Sequence, residues 1–467
     1  MADRSGANPV SGGDGHAAGS AARTAGGFPQ VSAPASAVPA LAGPVLCVPA
    51  SPGVMQTSST PAPLTAGPVK NLRVTFWGVQ GSCSIFPTQR EVCEYSRRLS
   101  VQTLESALKT LADRMDRGEW NGSSPAEELR RLAEPPAVEK FLNQLGVPIL
   151  PTYGGDTTCV EVETGDGDVL VFDLGTGLRE FSADLLRRWG RRPEERRVVH
   201  VFGSHEHLDH RSGLSFAGLC YVKDRPFTLH VHGTRQFLRA LDDHYGLFSH
   251  EIKANAHFDD PVDYRIMTPT FTGTEFHTGF VPVAPAQEDK GPVPWRVHDV
   301  AEPVRIGRTA VQAFEVYHGD TEALGYRVTH GGATFVFCTD HELRHGPDPA
   351  DPRQVRSQAA EARLLEQCRG ADAAYFDGQY FLSEYHGLEG IGSSPPLSRV
   401  DWGHGCIEDI VARGRRCGVR RVFIGHHDPE RPWQERLRID RELATVSEES
   451  GGKLRVELAR PETVVDL

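Results

Sequence analysis

Ser204-His205-Glu206-His207-Leu208-Asp209-His210 follows directly on the apolar run Val198-Val199-His200-Val201-Phe202. Three histidines and an aspartate within six residues put neutral imidazoles and a carboxylate at the end of a predicted strand. That is the donor set that borderline divalent cations such as zinc prefer. A turn at this place lets His205 and His207 converge on one ion while Asp209 and His210 face a second. A solvated polar loop rarely carries so dense a cluster with a carboxylate interposed.

On the N-terminal side, alternation in Asn71-Leu72-Arg73-Val74-Thr75-Phe76-Trp77-Gly78 predicts a strand, and Gln80-Gly81-Ser82 a turn. From Thr88 to Leu150 the texture is helical. Val101, Leu104, Leu108, Leu111 and Met115 recur at helical spacing, and Ser124-Pro125-Ala126-Glu127 has the form of a helix start with proline at the first position. Cys159–Val162 and Val169–Phe172, separated by Thr164-Gly165-Asp166-Gly167, predict a hairpin. A helix over Leu178–Trp189 and a strand over Arg197–Phe202 lead into the histidine loop. Beyond it the pattern predicts strands at Val311–Tyr317, Leu324–Thr329 and Thr334–Cys338, a helix near Ser357–Cys368, and a final helix–strand unit from Ile407 to Ile424. Hairpins combined with crossover helices indicate a layered α/β domain. No repeat of solenoid period is present.

Ala, Gly, Pro and Ser make up 43 of the first 70 residues, so residues 1–69 are expected to form a disordered tail, leaving one folded domain at 70–467 with a helical insertion at 88–150. Asp3, Arg4, Asp14 and Arg23 cancel within the tail, so the net charge of −12 belongs to the folded part. A surplus of negative charge opposes extended nucleic acid, whose binding rests on Lys and Arg against phosphates. No run approaches the roughly 20 apolar residues of a membrane helix, and the N-terminus lacks a basic patch followed by an apolar stretch. The nine cysteines contain no Cys-x-x-Cys pair and fall mostly in apolar runs, as small core residues would. A soluble, cytoplasmic chain in a reducing compartment is expected.

Six pieces in order resemble the metallo-β-lactamase fold, within its phosphodiesterase branch that includes ribonuclease Z and the cyclic-nucleotide phosphodiesterases. They are Phe76–Ser82, Tyr153–Cys159, Phe172-Asp173-Leu174-Gly175-Thr176-Gly177, the histidine loop, His318 seven residues before Gly325-Tyr326, and Asp340 after Phe335–Cys338. The resemblance extends from Leu72 to about Pro429. It implies an αββα four-layer sandwich and two divalent ions, zinc foremost with manganese and iron also suited to these ligands. His205, His207 and His318 would hold one ion, and Asp209, His210 and His426 the other. Asp340 would bridge, and Asp173 would orient the loop from behind. In Ile424-Gly425-His426-His427-Asp428 the position after the strand favours His426 over His427. A single histidine such as His318 is ordinarily a surface residue; order and strand-end position give it weight.

Asp401-Trp402-Gly403-His404-Gly405-Cys406 resembles a Trp-Gly-His-Ser-Thr segment of that branch whose histidine points at the substrate phosphate, with Gly405-Cys406 departing from Ser-Thr. His404 and Asp209 are therefore the expected catalytic residues. The resemblance implies a hydrolase in which a water between two ions is acidified and attacks phosphorus, in keeping with the absence of a Gly-x-Ser-x-Gly elbow. Only residues 319–339 separate His318 from Asp340, too few for the long tRNA-gripping arm that ribonuclease Z carries there. With the charge this favours a small phosphodiester or nucleotide, such as a 3′,5′-cyclic nucleotide. A tRNA 3′-processing endonuclease and a thioester, lactone or lactam hydrolase are the alternatives. The insertion, with nine basic and ten acidic residues, is a poor polyanion grip and is expected to pack beside the site or at a homodimer contact. His230 and His232 are expected at half-buried strand positions near the site.

Overall fold

The computed structural model describes residues 69–87, 89–120, 124–145, 152–191, 197–221, 227–245, 276–280 and 295–467. The predicted N-terminal tail lies outside the described residues, apart from its last position.

Alternating side chains set the strands, and register sets the sheets. The first sheet is built from β1 (Leu72–Gly78), β2 (Cys159–Thr164), β3 (Val169–Phe172), β4 (Val198–Phe202), β5 (Thr228–Gly233), β6 (Phe276–Phe280) and β7 (Trp295–His298). The second takes β8 (Val304–Ile306), β9 (Thr309–His318), β10 (Thr321–His330), β11 (Ala333–Cys338), β12 (Ala373–Asp377), β13 (Arg421–Gly425) and β14 (Arg455–Leu458). A last strand, β15 (Val464–Asp466), returns to the first sheet, where the order is β15-β1-β2-β3-β4-β5-β6-β7. The second sheet runs β14-β13-β12-β11-β10-β9-β8. The predicted hairpin forms with Val160 opposite Phe172, and β10 and β11 form the plain hairpin expected between His318 and Asp340, with Gly331 and Gly332 at positive φ.

The two sheets face each other across Phe76, Phe172, Phe202, Tyr326, Phe337, Tyr375 and Phe423, all buried. At roughly 1.5–3 kcal/mol for each fully buried large side chain, this layer is the main cohesive element between the sheets. The outer face of the first sheet is covered through Phe181, Leu185, Phe237 and Leu241 of the helices Leu178–Arg191 and Arg235–Tyr245. The second is covered through Leu364, Ile410, Ile439 and Leu443 of Pro352–Cys368, Ile407–Cys417 and Trp433–Glu449. Helix, sheet, sheet, helix is the four-layer α/β order expected. None of the described helices is long and apolar enough to cross a membrane.

Two expectations need correction, the place of the last helix–strand unit and the depth of His232. The unit Ile407–Ile424 is not the last: Trp433–Glu449, β14 and β15 follow, the helix adding to one outer layer and the strands extending each sheet. In the insertion, Gln89–Asp116 is a helix and Ser124 caps Pro125–Leu132 by accepting from the Glu127 N–H, but Val101, Leu104 and Leu108 lie on its exposed side. The helix docks by other residues onto the one starting at Trp433: Tyr95 meets the Trp433 ring edge to face, Arg98 stacks on it, and Gln434 bonds Glu94. Of the eight described cysteines, Cys83 and Cys93 are exposed and six are buried. His232 is fully buried, stacked on Phe202 at 4.5 Å.

Candidate metal centre

β4, β9, β11, β12 and β13 all end at one edge of the sandwich, and each delivers a polar residue there as its apolar run stops. The loop after β4 is tied down from behind. Asp173, at the end of β3, accepts from the Ser204 N–H at 2.6 Å and the Ser204 hydroxyl at 2.8 Å, and from His210 Nδ1 at 2.8 Å. Its position is the orienting one that the sequence implied. Ser204 Oγ in turn lies 2.9 Å from His205 Nδ1. From the second sheet, His318 Nδ1 donates to the Gly403 carbonyl at 2.9 Å.

These bonds commit the Nδ1 protons of His205, His210 and His318, so each Nε2 presents a lone pair to the centre. His318 Nε2 stands 3.2 Å from His207 Nδ1, and His210 Nε2 stands 3.2 Å from His426 Nε2. Asp209 Oδ2 is 3.2 Å from His210 Nε2 and 3.3 Å from His426 Nε2. Asp340 reaches both halves, with Oδ2 3.5 Å from His205 Nε2 and Oδ1 3.2 Å from His426 Nε2. Two donor groups result: His205, His207, His318 and Asp340, and Asp209, His210 and His426. All seven sequence-predicted ligands are brought together.

The residues fit a divalent cation. Among the described residues, buried His205 Nε2 has no hydrogen-bond partner, an orphan that a ligated ion would satisfy. Paired imidazole lone pairs and carboxylates at these distances are the donor chemistry of zinc or manganese. Burial would raise the Asp340 carboxyl, but His426, His210 and His205 hold it well below its ordinary value. Burial and the neighbouring His210 push His205 far down. His427 Nε2 donates to the Ala459 carbonyl at 2.8 Å, and among the described residues it belongs to none of the donor groups that contain His426.

Backbone strain accompanies the site. Asp173, Asp340 and His426 have φ of 61°, 47° and 53°, the left-handed region that costs non-glycine residues about 1–3 kcal/mol each. Each sits at the point where a strand must turn sharply to aim its side chain at the neighbouring strand end.

His404 lies against the centre, its ring 5.0 Å from His426 and 5.5 Å from His318. Its Nδ1 is 3.0 Å from Asp377 Oδ2. Burial lowers its pKa, and Asp377, then Asp340 and Asp209, raise it to about 9. Asp377 went unnoticed in the sequence, yet it completes a third group with Asp340, His404 and His426. Its one signal is position: it ends an apolar strand, as Gly425-His426 follows the next. Glu342, also missed, is buried and accepts from the Asp401 N–H at 2.9 Å, the Gly403 N–H at 2.8 Å and the Tyr385 hydroxyl at 2.5 Å. It thereby fixes the turn whose carbonyl holds His318. Gly403, at φ 89°, has no room for a Cβ, which would overlap the His318 ring.

Residues 243–427 match the family model described as a beta-lactamase superfamily domain. With the four-layer architecture and the strand-end histidine and aspartate cluster, this defines a metallo-β-lactamase fold, the fold that the sequence resemblance implied. No curated protein matches the chain. Among solved structures, a diphosphatase from the PhnP family shares 14% identity at a TM-score of 0.41, covering 85% of this chain and 98% of its own. Unliganded yeast PDE1 shares 15% at 0.42, over 68% of this chain and 96% of its own. Zn²⁺-bound PqqB from Methylobacterium extorquens shares 13% at 0.42, over 85% and 100%.

Proposed function

We propose that this protein is a metal-dependent phosphodiesterase acting on a small phosphodiester, with a cyclic nucleotide as the leading candidate. The observation that carries this reading is His404: a half-buried imidazole hydrogen-bonded to Asp377 and packed against both halves of the donor set. Hydrolysis of a phosphodiester needs a group that protonates the departing oxygen, and His404 with Nδ1 committed to Asp377 has Nε2 left for that task.

His205, His207, His318 and Asp340 would hold one ion, Asp209, His210 and His426 the other, with Asp340 shared. Zinc is the first choice and manganese the second. When bound, such ions supply Lewis-acid polarisation of the phosphoryl oxygens and lower the pKa of water toward neutrality. Asp209, whose Oδ2 is 3.2 Å from His210 Nε2 and held ionised by His210 and His426, orients the attacking water. His404 donates to the leaving oxygen, and Asp377 stabilises the charge it carries beforehand. Asp173, Ser204 and Glu342 keep the donors in place without touching substrate.

The short β10–β11 hairpin and the net charge of −12 support a small substrate over an extended polyanion. The test is turnover of bis-p-nitrophenyl phosphate and a cyclic-nucleotide panel, run against a thioester and nitrocefin, each with zinc and with manganese. Metal-dependent hydrolysis of the phosphodiesters alone is expected. Hydrolysis confined to the thioester or nitrocefin would overturn the assignment.

A further inference from the structure

Trp402 stands two residues before His404 and is 51% exposed, whereas Trp77 and Trp189 are 5% and 4% exposed. Its backbone is tied on both sides. Its N–H donates to the Arg399 carbonyl at 3.1 Å, and the next residue, Gly403, is pinned by Glu342. Beneath the indole lies a buried cation. Arg399 is 4% exposed, with its guanidinium carbon 5.8 Å from the Trp402 ring centre and 5.4 Å from that of Tyr380. Bonds from Arg399 to the Glu384 and Leu397 carbonyls hold it there. Tyr380 meets His404 edge to face at 6.0 Å. The aromatic and cationic stack is thus continuous with the catalytic histidine and ends in an open indole.

A large apolar side chain left half in water forfeits burial energy. Held rigid beside a reactive group, it is a preorganised platform for a flat partner, since the ordering cost of binding is already met. Leu208, between the donors His207 and Asp209 in the chain, is 56% exposed, a second open apolar side chain on a donor-bearing segment.

We propose that Trp402 stacks on a planar aromatic ring carried by one arm of the phosphodiester, a nucleobase or its equivalent, and so determines which diesters are bound. This rests on the phosphodiesterase reading above. The experiment compares thymidine 5′-p-nitrophenyl phosphate with methyl p-nitrophenyl phosphate, which share a leaving group and differ in the second arm. In Trp402→Ala the ratio of the two KM values shifts about 10- to 100-fold against the nucleoside diester, equivalent to ~1.4–2.8 kcal/mol, and Trp402→Phe restores most of the preference. An equal change for both substrates, or none, overturns the inference. If the native protein turns over neither diester, the phosphodiesterase reading falls. Calorimetric titration with thymidine 5′-phosphate and ribose 5-phosphate then decides: base-dependent binding lost in Trp402→Ala upholds the platform, and binding unaltered by the substitution ends it.

Discussion

Asp377 Oδ2 lies 3.0 Å from His404 Nδ1 and 3.2 Å from the Gly405 N–H, so one carboxylate fixes both the ring and the backbone that carries it. In Asp377→Asn the amide keeps the shape and loses the charge. The expected result is a fall in kcat of about 10- to 100-fold with KM little altered, while His404→Ala costs about 10²–10⁴. Steady-state kinetics on one phosphodiester checks the order; a larger loss in Asp377→Asn than in His404→Ala would refute the positioning role.

His207→Ala and Asp340→Ala are expected to abolish metal-dependent turnover with far-UV circular dichroism retained. Chelation should lower the Tm of the native protein and zinc should restore it, because an ion bound only to the folded state stabilises by about 4 kcal/mol at a thousandfold excess over Kd. Asp340→Ala should respond to neither treatment. Full phosphodiesterase activity in either variant would exclude the ligand assignment.

Gly403→Ala meets the His318 ring and a φ of 89° together. Loss of the His318 bond to the Gly403 carbonyl is expected to weaken metal retention, read as bound zinc per protein after dialysis. Gly418→Ala, at φ 65° with open space around it, is the control: strained to a similar degree, distant from the donors, and expected to keep its metal.

Glu361 accepts from the Arg413 guanidinium at 2.7 and 3.0 Å and lies 3.0 Å from His341 Nε2. Burial would raise its carboxyl, but Arg413 and then His341 outweigh that and hold it well below its ordinary value. A carboxyl depressed in the folded state contributes stability above its unfolded pKa, about 4.5, and the contribution is lost as pH falls from there toward the folded value. Glu361→Gln strands a buried Arg413 and is expected to cost about 3–5 kcal/mol at pH 7. Denaturant melts at pH 7 and below pH 4 should show the difference shrinking in acid; a difference independent of pH would rule the ion pair out as the cause.

What the sequence made legible follows contact distance along the chain. Four donors lie within six residues, so their chemistry is visible without a fold. His318, Asp340 and His426 are visible only through order and strand ends, because the sheet supplies their proximity. Asp377 resembles any polar residue closing a strand until His404, 27 positions on, is folded against it. The left-handed backbone at Asp173, Asp340 and His426 leaves no mark in composition, since aspartate and histidine are also chosen as ligands. In the insertion, the spacing of Val101, Leu104 and Leu108 announces a helix but not which side meets the body. Tyr95, Arg98 and the Trp433 ring settle that, through a helix the pattern did not disclose.

β1 takes β2 on one side and β15 on the other, and Arg73 meets Asp466 across 393 positions of sequence at 2.8 Å. Such a pairing has the greatest loop entropy to overcome and little of its own to offer before everything between is in order. β1 is therefore expected to stay half-partnered until β15 docks. Refolding should end in a slow docking of residues 464–466, and any substitution there would act on the last kinetic step while leaving the assembly of the donor cluster untouched.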